Sequence, residues 1–417
     1  MNNDIFPIKN EGKVFKFKMS IFIIYFSLII FLSTDDKLQT IYLKYNTSRL
    51  NLIVLIFATF FIALRTKAIY LDKILLFMTM RSTLLLIPYY YTNNTYGYWG
   101  NYLVTLVSIL TYLLVINLKI SNRYKFLNIL FRFIGVSLTI QLIYNSVNLL
   151  IKYGVIYKHL IKLPIGNSNF IAAFLLPCCT FNIVKLNKSW KDIFFICFFL
   201  FGIFLTFSKG AIISLLIVLL IKVILNAFEN KKIIIKSFKW YLKNISIIIV
   251  IVIFLINVMN TRIGMEIYIN TIDKIINISN LSLNDYTSGR IAVYKMNLNR
   301  FFKHIFLGDG TGFKENFSNE IEIKDGRAHN WIIELLVQSG VIGFLLFIIP
   351  IFTILRRTYK TKNYATYQIQ TFFAILSILI HGLVEPNLFS LNFDVLFWTI
   401  LGISETENKY YYNNILK

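Results

Sequence analysis

The sequence predicts an all-α integral membrane protein with about 12 transmembrane helices, one bilayer crossing per apolar run. Three observations carry this expectation. Of the 417 residues, 57% are hydrophobic and only 15% charged, with a mean hydropathy of +0.64. A soluble globular chain carries roughly a quarter charged residues, so too little polar surface is present to cover a water-soluble body of this size. Apolar runs recur at the length a bilayer core demands, ~20 residues per helix. Between them lie short basic clusters, Arg65–Lys67, Lys119–Lys125, Lys185–Lys191 and Arg356–Lys362, the pattern of cytoplasmic loops.

The runs fall near 19–33, 50–64, 70–90, 98–118, 126–151, 168–185, 192–207, 210–227, 241–259, 331–355, 366–383 and 388–403. The first follows a basic tail and lacks a small-residue cleavage site, so it reads as a retained signal-anchor helix. The third contains Asp72 and Arg81, which leaves its boundaries soft. Basic connections alternate with nearly uncharged ones, and the richest runs from Lys222 to Lys243. The positive-inside rule then puts both termini in the cytoplasm. The aromatic stretch Tyr89 to Trp99 falls on the opposite side, where Tyr and Trp suit the headgroup zone.

One long segment, 260–330, contains no spanning run and is expected outside, between spans nine and ten. Long connections of this kind are usually functional or disordered. Apolar residues at helical spacing argue for order: Ile291, Tyr294, Leu298 and Phe301 form one stripe of an amphipathic helix starting at Arg290, with Ser288 as its cap. The expected organisation is membrane helices in 1–165, a core with the loop in 166–355, and further helices with a cytoplasmic tail in 356–417. No internal repeat of the transporter type is evident.

The net charge of +23 raises a nucleic-acid reading, but the cations form no sustained polar face, and that class is excluded. Cys178, Cys179 and Cys197 lie inside apolar runs without metal-ligand spacing and read as small core residues.

Four local patterns can carry chemistry. In Pro164-Ile-Gly-Asn-Ser-Asn-Phe, Asn167 and Asn169 can bind sugar hydroxyls or cap the helix that follows. In Thr206-Phe-Ser208-Lys209-Gly210, Lys209 opposes the positive-inside trend. It either meets an anion or snorkels at the interface. Ser288-Gly-Arg290 followed by Leu307-Gly308-Asp-Gly310-Thr-Gly offers glycines for a turn or for a backbone N–H cradle around phosphate. Arg290 can grip a diphosphate with two parallel hydrogen bonds. The fourth pattern is Arg327-Ala-His329-Asn330-Trp-Ile-Ile-Glu334, ending Gly340-Val-Ile-Gly343. Here an imidazole can accept a proton near neutral pH or serve as an interfacial hydrogen-bonding group. Asn330 can cap the helix, Trp331 can anchor at the interface, and Glu334 needs a partner one turn inside the apolar segment. His381, Glu385 and Asn387 form a second polar cluster, suited to supporting structure or to binding an acceptor.

The last pattern resembles the signature of the O-antigen polymerase and ligase superfamily (Wzy-like and WaaL-like): His-Asn, then an apolar helix carrying Glu and a Gly-x-x-Gly end. Gly166-Asn-Ser-Asn169 is similar to the family's Gly-Asn-Pro-Asn element, with Ser168 in place of proline. Thr206-Phe-Ser208-Lys209-Gly210 resembles its Ser-Arg-Gly element, and Ser288-Gly-Arg290 with Gly308-Asp-Gly310 its loop pattern.

The resemblance implies a GT-C-like membrane glycosyltransferase in the bacterial cytoplasmic (inner) membrane, working without metal or other cofactor. The implied partners are an undecaprenyl-pyrophosphate-linked glycan donor, a glycan acceptor, membrane lipid and a chain-length regulator. The family's two functional arginines and loop histidine carry over to Lys209, Arg290 and His329, with lysine replacing one arginine. Asn167, Asn169, Ser208, Gly308, Gly310, Arg327, Asn330 and Glu334 are the candidate substrate-binding positions. Polymerisation of repeat units into a capsule or O-antigen is the expected activity. Transfer of a finished chain by a ligase and lipid-linked sugar flipping are the alternatives.

Overall fold

A computed structural model of the chain describes residues 70–92, 98–118, 122–154, 156–185, 188–229, 290–311, 317–318, 321–322, 328–361, 366–385 and 387–415. Helices dominate these residues, as the apolar runs predict. They are α1 (Lys73–Leu84), α2 (Tyr98–Asn117), α3 (Arg123–Tyr153), α4 (Ser168–Val184), α5 (Trp190–Leu205), α6 (Lys209–Glu229), α7 (Arg290–Lys303), α8 (Trp331–Lys360), α9 (Thr366–His381) and α10 (Leu391–Ile415). Two-residue strands β1 (Lys162–Leu163) and β2 (Gly166–Asn167) form an antiparallel hairpin, as do β3 (Phe317–Ser318) and β4 (Ile321–Glu322).

Among the described residues, four helical stretches are long and apolar enough to cross a membrane: Tyr98–Asn117, Arg123–Tyr153, Lys209–Asn226 and Trp331–Lys360. Ser168–Val184 and Tyr367–His381 are shorter apolar helices. The runs at 19–33, 50–64 and 241–259, and the Ser288 cap, lie outside the described residues. The run at 70–90 is a helix of only 12 residues. Asp72 caps its start by accepting from the Leu75 N–H, and Tyr112 donates to the same carboxylate at 2.8 Å. A short 3-10 turn at Pro88–Tyr90 follows, because proline lacks the N–H that would extend an α-helix.

Helix α4 lies at the centre and is buried on every side from Ile171 to Val184. An all-round apolar helix needs such enclosure. α3, α5, α6 and α9 pack around it, while α2 pairs with α10 and α1 with α8. One hydrophobic core runs from Ile74 to Ile403, shared by all three expected sections of the chain. Cys178 and Cys179 are buried within it, but Cys197 is exposed, a correction to the core reading of all three. Cys197 falls on the open face of α5, next to the exposed Phe194 and Phe201.

At the end of the bundle where α3 ends and α4 and α10 begin lie α7 and the β1–β2 hairpin. At the opposite end, basic residues are held by buried acids. Asp192, 1% exposed, takes both Arg132 and Lys185, while Glu405 takes Arg357 and Glu407 takes Arg123. A buried carboxylate without such partners would be strongly destabilising.

α7 is amphipathic, but its buried stripe is Val293, Asn297 and Phe301, while Ile291 is exposed. The expected stripe is therefore rotated. Asn297 tolerates burial by donating to its own helix at Val293 O, and Arg300 is drawn to Asp309 at 2.7 Å.

The turn after α7 enters a break in α8 at Gly340, whose φ of 61° and ψ of −167° are non-helical. The Asp309 and Gly310 N–H groups donate to Val337 O and Gln338 O at 2.6 and 3.1 Å, while Val341 and Ile342 donate to Ile305 O and Phe306 O. Irregular backbone inside an apolar bundle persists only where protein satisfies its polar groups, and this turn does so. A Cβ on Gly340 would overlap the Phe306 carbonyl. Gly340→Ala is expected to destabilise the protein in detergent by roughly 2–4 kcal/mol. Gly100→Ala, with open space around its Cβ position, serves as the neutral control in the same thermal-unfolding assay.

Candidate functional site

Five segments meet at the α7 end of the bundle. The β1–β2 hairpin delivers the chain to α4, which Asn167 caps by accepting from the Phe170 N–H. Asn169, on the first turn, points to Glu385 and donates to its Oε2 at 3.2 Å. The connection from α5 to α6 is almost without loop: Phe207 takes a φ of 52°, and Ser208, 1% exposed, caps α6 by accepting from the Ala211 N–H. Lys209 is thereby exposed at the tip, and Gly210 packs against Val384 so closely that a Cβ would lie 2.8 Å from its Cγ2.

Arg290, the first residue of α7, donates from one Nη to Val384 O at 2.8 Å and from the other to Glu385 Oε2 at 3.3 Å. His329 precedes α8 with a φ of 47°, and its Nδ1 lies 3.9 Å from Glu385 Oε1. Asn330 caps α8 by accepting from the Ile332 and Ile333 N–H groups.

Glu385, 12% exposed, is thus the common neighbour of Asn169, Arg290 and His329. Lys158, exposed in the turn before β1, is a third cationic or basic neighbour. Its ammonium is held below the usual lysine value, first by desolvation, with Glu385 opposing and Lys209 and Arg290 adding to the push. That coupling places Lys158, Lys209, Arg290 and Glu385 within one electrostatic neighbourhood. Among the described residues Arg290, Lys158 and Lys209 are the cations of this neighbourhood and Glu385 its carboxylate, a composition that can take an anion.

Below His329 a polar chain enters the helical body. Glu334, 5% exposed, accepts from the Ala328 N–H at 3.0 Å through one oxygen and from Gln338 Nε2 at 3.0 Å through the other. Gln338 accepts in turn from Arg81 at 3.5 Å, whose guanidinium lies over the Phe347 and Phe389 rings. Glu334 therefore tethers the residue before His329. Trp331 is not an interfacial anchor. It is 5% exposed, its backbone N–H donates to Gly382 O at 3.0 Å, and its indole donates to Leu379 O at 2.9 Å. These bonds fasten the start of α8 to the end of α9 and so set His329 beside Glu385. Beneath them His381 is buried and shares a 2.8 Å hydrogen bond with Asn387.

The expected phosphate cradle at Gly308 and Gly310 is corrected by this geometry. The Gly308 N–H donates to His304 O, and those of Asp309 and Gly310 go to the α8 break, so they are occupied by protein. Asn167 and Asn330 act as helix caps, as their place before apolar runs allows, and Ser208 caps α6 as well. Arg327 lies outside the described residues. Sequence reasoning missed Lys158, which belongs to no motif, and treated Glu385 as peripheral support. Arg81 and Gln338 gave only the faint signal of polar residues inside apolar runs.

Loss of Trp331 should loosen the join between α8 and α9. Trp331→Ala is expected to cost roughly 3–5 kcal/mol of stability, measured by thermal unfolding, whereas Trp331→Phe, which keeps the ring but loses the indole bond, should cost about 1 kcal/mol.

Residues 193–348 match the family model described as O-antigen ligase. The match contains Lys209, Arg290 and His329, while Lys158, Asn169 and Glu385 lie outside it. No curated protein matches the chain. That match is to a segment shorter than half of the chain, and over it the sequence is similar to the O-antigen ligase family.

Proposed function

We propose that this protein is a metal-independent glycosyltransferase that polymerises undecaprenyl-pyrophosphate-linked oligosaccharide repeat units on the outer face of the bacterial cytoplasmic membrane. The product is a surface polysaccharide of the capsule or O-antigen type. The observation that carries this reading is the convergence of Arg290 and His329 on Glu385, with Lys209 and Lys158 in the same electrostatic neighbourhood.

Glycosyl transfer from a lipid diphosphate makes two demands. The leaving diphosphate gains charge as the bond to the anomeric carbon breaks, and the acceptor hydroxyl must lose a proton as it attacks. Arg290 supplies a planar fork matched to phosphate oxygens, and Lys209 and Lys158 add point charges. One such donor in a water-poor site is worth ~2.7–4 kcal/mol of transition-state stabilisation. His329 takes the hydroxyl proton, a contribution of ~100- to 10,000-fold. Glu334 holds the Ala328 N–H and so keeps the imidazole in register. Asn169 offers an amide to sugar hydroxyls at the rim.

The description of the matched family as a ligase favours a second reading, transfer of a finished glycan to a different acceptor. Product analysis separates the two: a polymerase leaves its ladder on the lipid diphosphate, a ligase moves one chain onto another molecule.

The test is purified protein in detergent supplied with lipid-linked repeat units. Wild type should give ladders of product. His329→Ala should reduce turnover ~100- to 10,000-fold while leaving donor binding within about twofold. Arg290→Lys should lower kcat/KM about 100-fold or more, since a lysine loses the bidentate grip. Lys158→Met should weaken donor binding about two- to fivefold, as expected for a partly exposed charge. Transbilayer movement of the lipid-linked sugar without new glycosidic bonds would contradict the transferase reading.

A further inference from the structure

We propose that Glu385 is a positioning residue shared between two partners: it pairs with Arg290 and closes on His329 Nδ1 when a lipid diphosphate takes the guanidinium. The inference rests on the glycosyl-transfer reading above and adds a residue outside the matched domain.

The geometry is that of a carboxylate caught between two partners. Its Oε2 accepts from Arg290 at 3.3 Å and from Asn169 at 3.2 Å. Its Oε1 faces His329 Nδ1 at 3.9 Å, beyond hydrogen-bond reach. That Nδ1 is buried and finds no hydrogen-bond partner among the described residues. A buried ring nitrogen left unpaired is costly, and Glu385 Oε1 at 3.9 Å is under an ångström too far away to accept from it.

Charge explains what holds Glu385 to Arg290 and what releases it. Lys209 and Arg290 both disfavour the charge on Lys158, and Glu385 opposes them. A diphosphate brings more negative charge than one carboxylate and fits the guanidinium fork at least as well. Once Arg290 turns to it, Glu385 is left with Asn169 and the imidazole.

The consequence for chemistry is direct. A histidine acting as base through Nε2 needs its Nδ1–H oriented by an acceptor. In the reacting state the acceptor hydroxyl oxygen bonds to the anomeric carbon. The bond from that carbon to the diphosphate oxygen breaks, and its electron pair leaves on the diphosphate. The hydroxyl proton passes to His329 Nε2, and the resulting imidazolium donates from Nδ1 to Glu385. The base is thus completed only when the donor is seated.

The experiment uses the purified full chain in detergent and undecaprenyl pyrophosphate, which needs no knowledge of the sugar. Glu385→Gln removes the competing charge from Arg290, so binding should tighten about two- to fivefold, the worth of a partly exposed ion pair. With repeat units supplied, kcat should fall while KM also falls, a split that mere structural damage does not produce. The second arm needs no variant at position 385. In wild type labelled with 15N-histidine, the chain's four imidazoles give few signals, and that of His329 is identified by its loss in His329→Ala. Its Nδ1 signal should move towards a hydrogen-bonded donor when undecaprenyl pyrophosphate is added, and Glu385→Asp should show a smaller response. Unchanged or weaker binding by folded Glu385→Gln, or no response at Nδ1 in wild type that binds the lipid, would overturn the inference and leave the function standing. Wild type that does not bind undecaprenyl pyrophosphate would overturn both.

Discussion

Cations gathered at one end of an apolar helix bundle repel each other, by an amount that falls with their exposure to water. In this chain one carboxylate answers that problem. Glu385 stands among Arg290, Lys209 and Lys158 and joins segments from four distant parts of the sequence. The arrangement that holds these described residues together also presents cations that an anion can use. In the proposal above, stability and binding are coupled through one group, because a ligand that takes Arg290 competes with Glu385.

That competition has meaning only if the surrounding backbone is rigid. Two features supply the rigidity. Trp331 bonds α8 to α9 through both its main chain and its indole, so His329 and the Glu385 loop move together. The break in α8 at Gly340 is filled by the turn after α7, which couples the segment begun by Arg290 to the helix begun by His329. His329 itself sits at a φ of 47°, uncommon for a side chain other than glycine and sustained here by the Glu334 tether and the Asn330 cap. Glu334, Gln338 and Arg81 extend that tether into the apolar body, where partly satisfied polar groups hold geometry at some cost in stability.

Much of the fold was legible because apolar length and helical period are local properties. α2, α3, α4 and α6 lie close to the runs that announced them. Packing decided the rest. The stripe of α7 turned towards Asn297 because hydrogen bonding inside the helix made an amide acceptable in the core. Gly308 and Gly310 read as a phosphate cradle because a glycine turn looks the same in sequence whichever acceptor takes its N–H groups. His329 and Arg290 stood out through motif order. Lys158 did not, since a lone loop lysine acquires significance only from neighbours 50 to 230 residues away. Glu385 was visible as a polar cluster with His381 and Asn387, but nothing in its spacing indicated that it faces three other motifs.

The account depends above all on the α5–α6 connection lying against the Glu385 loop, which unites Lys209 with Arg290 and His329. A Cβ at position 210 would lie 3.8 Å from the Val384 Cβ, within the ~3.5–4.5 Å range of a disulfide. The direct measurement replaces Cys178, Cys179 and Cys197 by Ala, introduces Gly210→Cys with Val384→Cys, oxidises the membranes mildly and maps the cross-link by mass spectrometry. A disulfide forming in most molecules is the predicted result. Both thiols remaining free in folded protein, or labelling from opposite faces of the membrane, would contradict it.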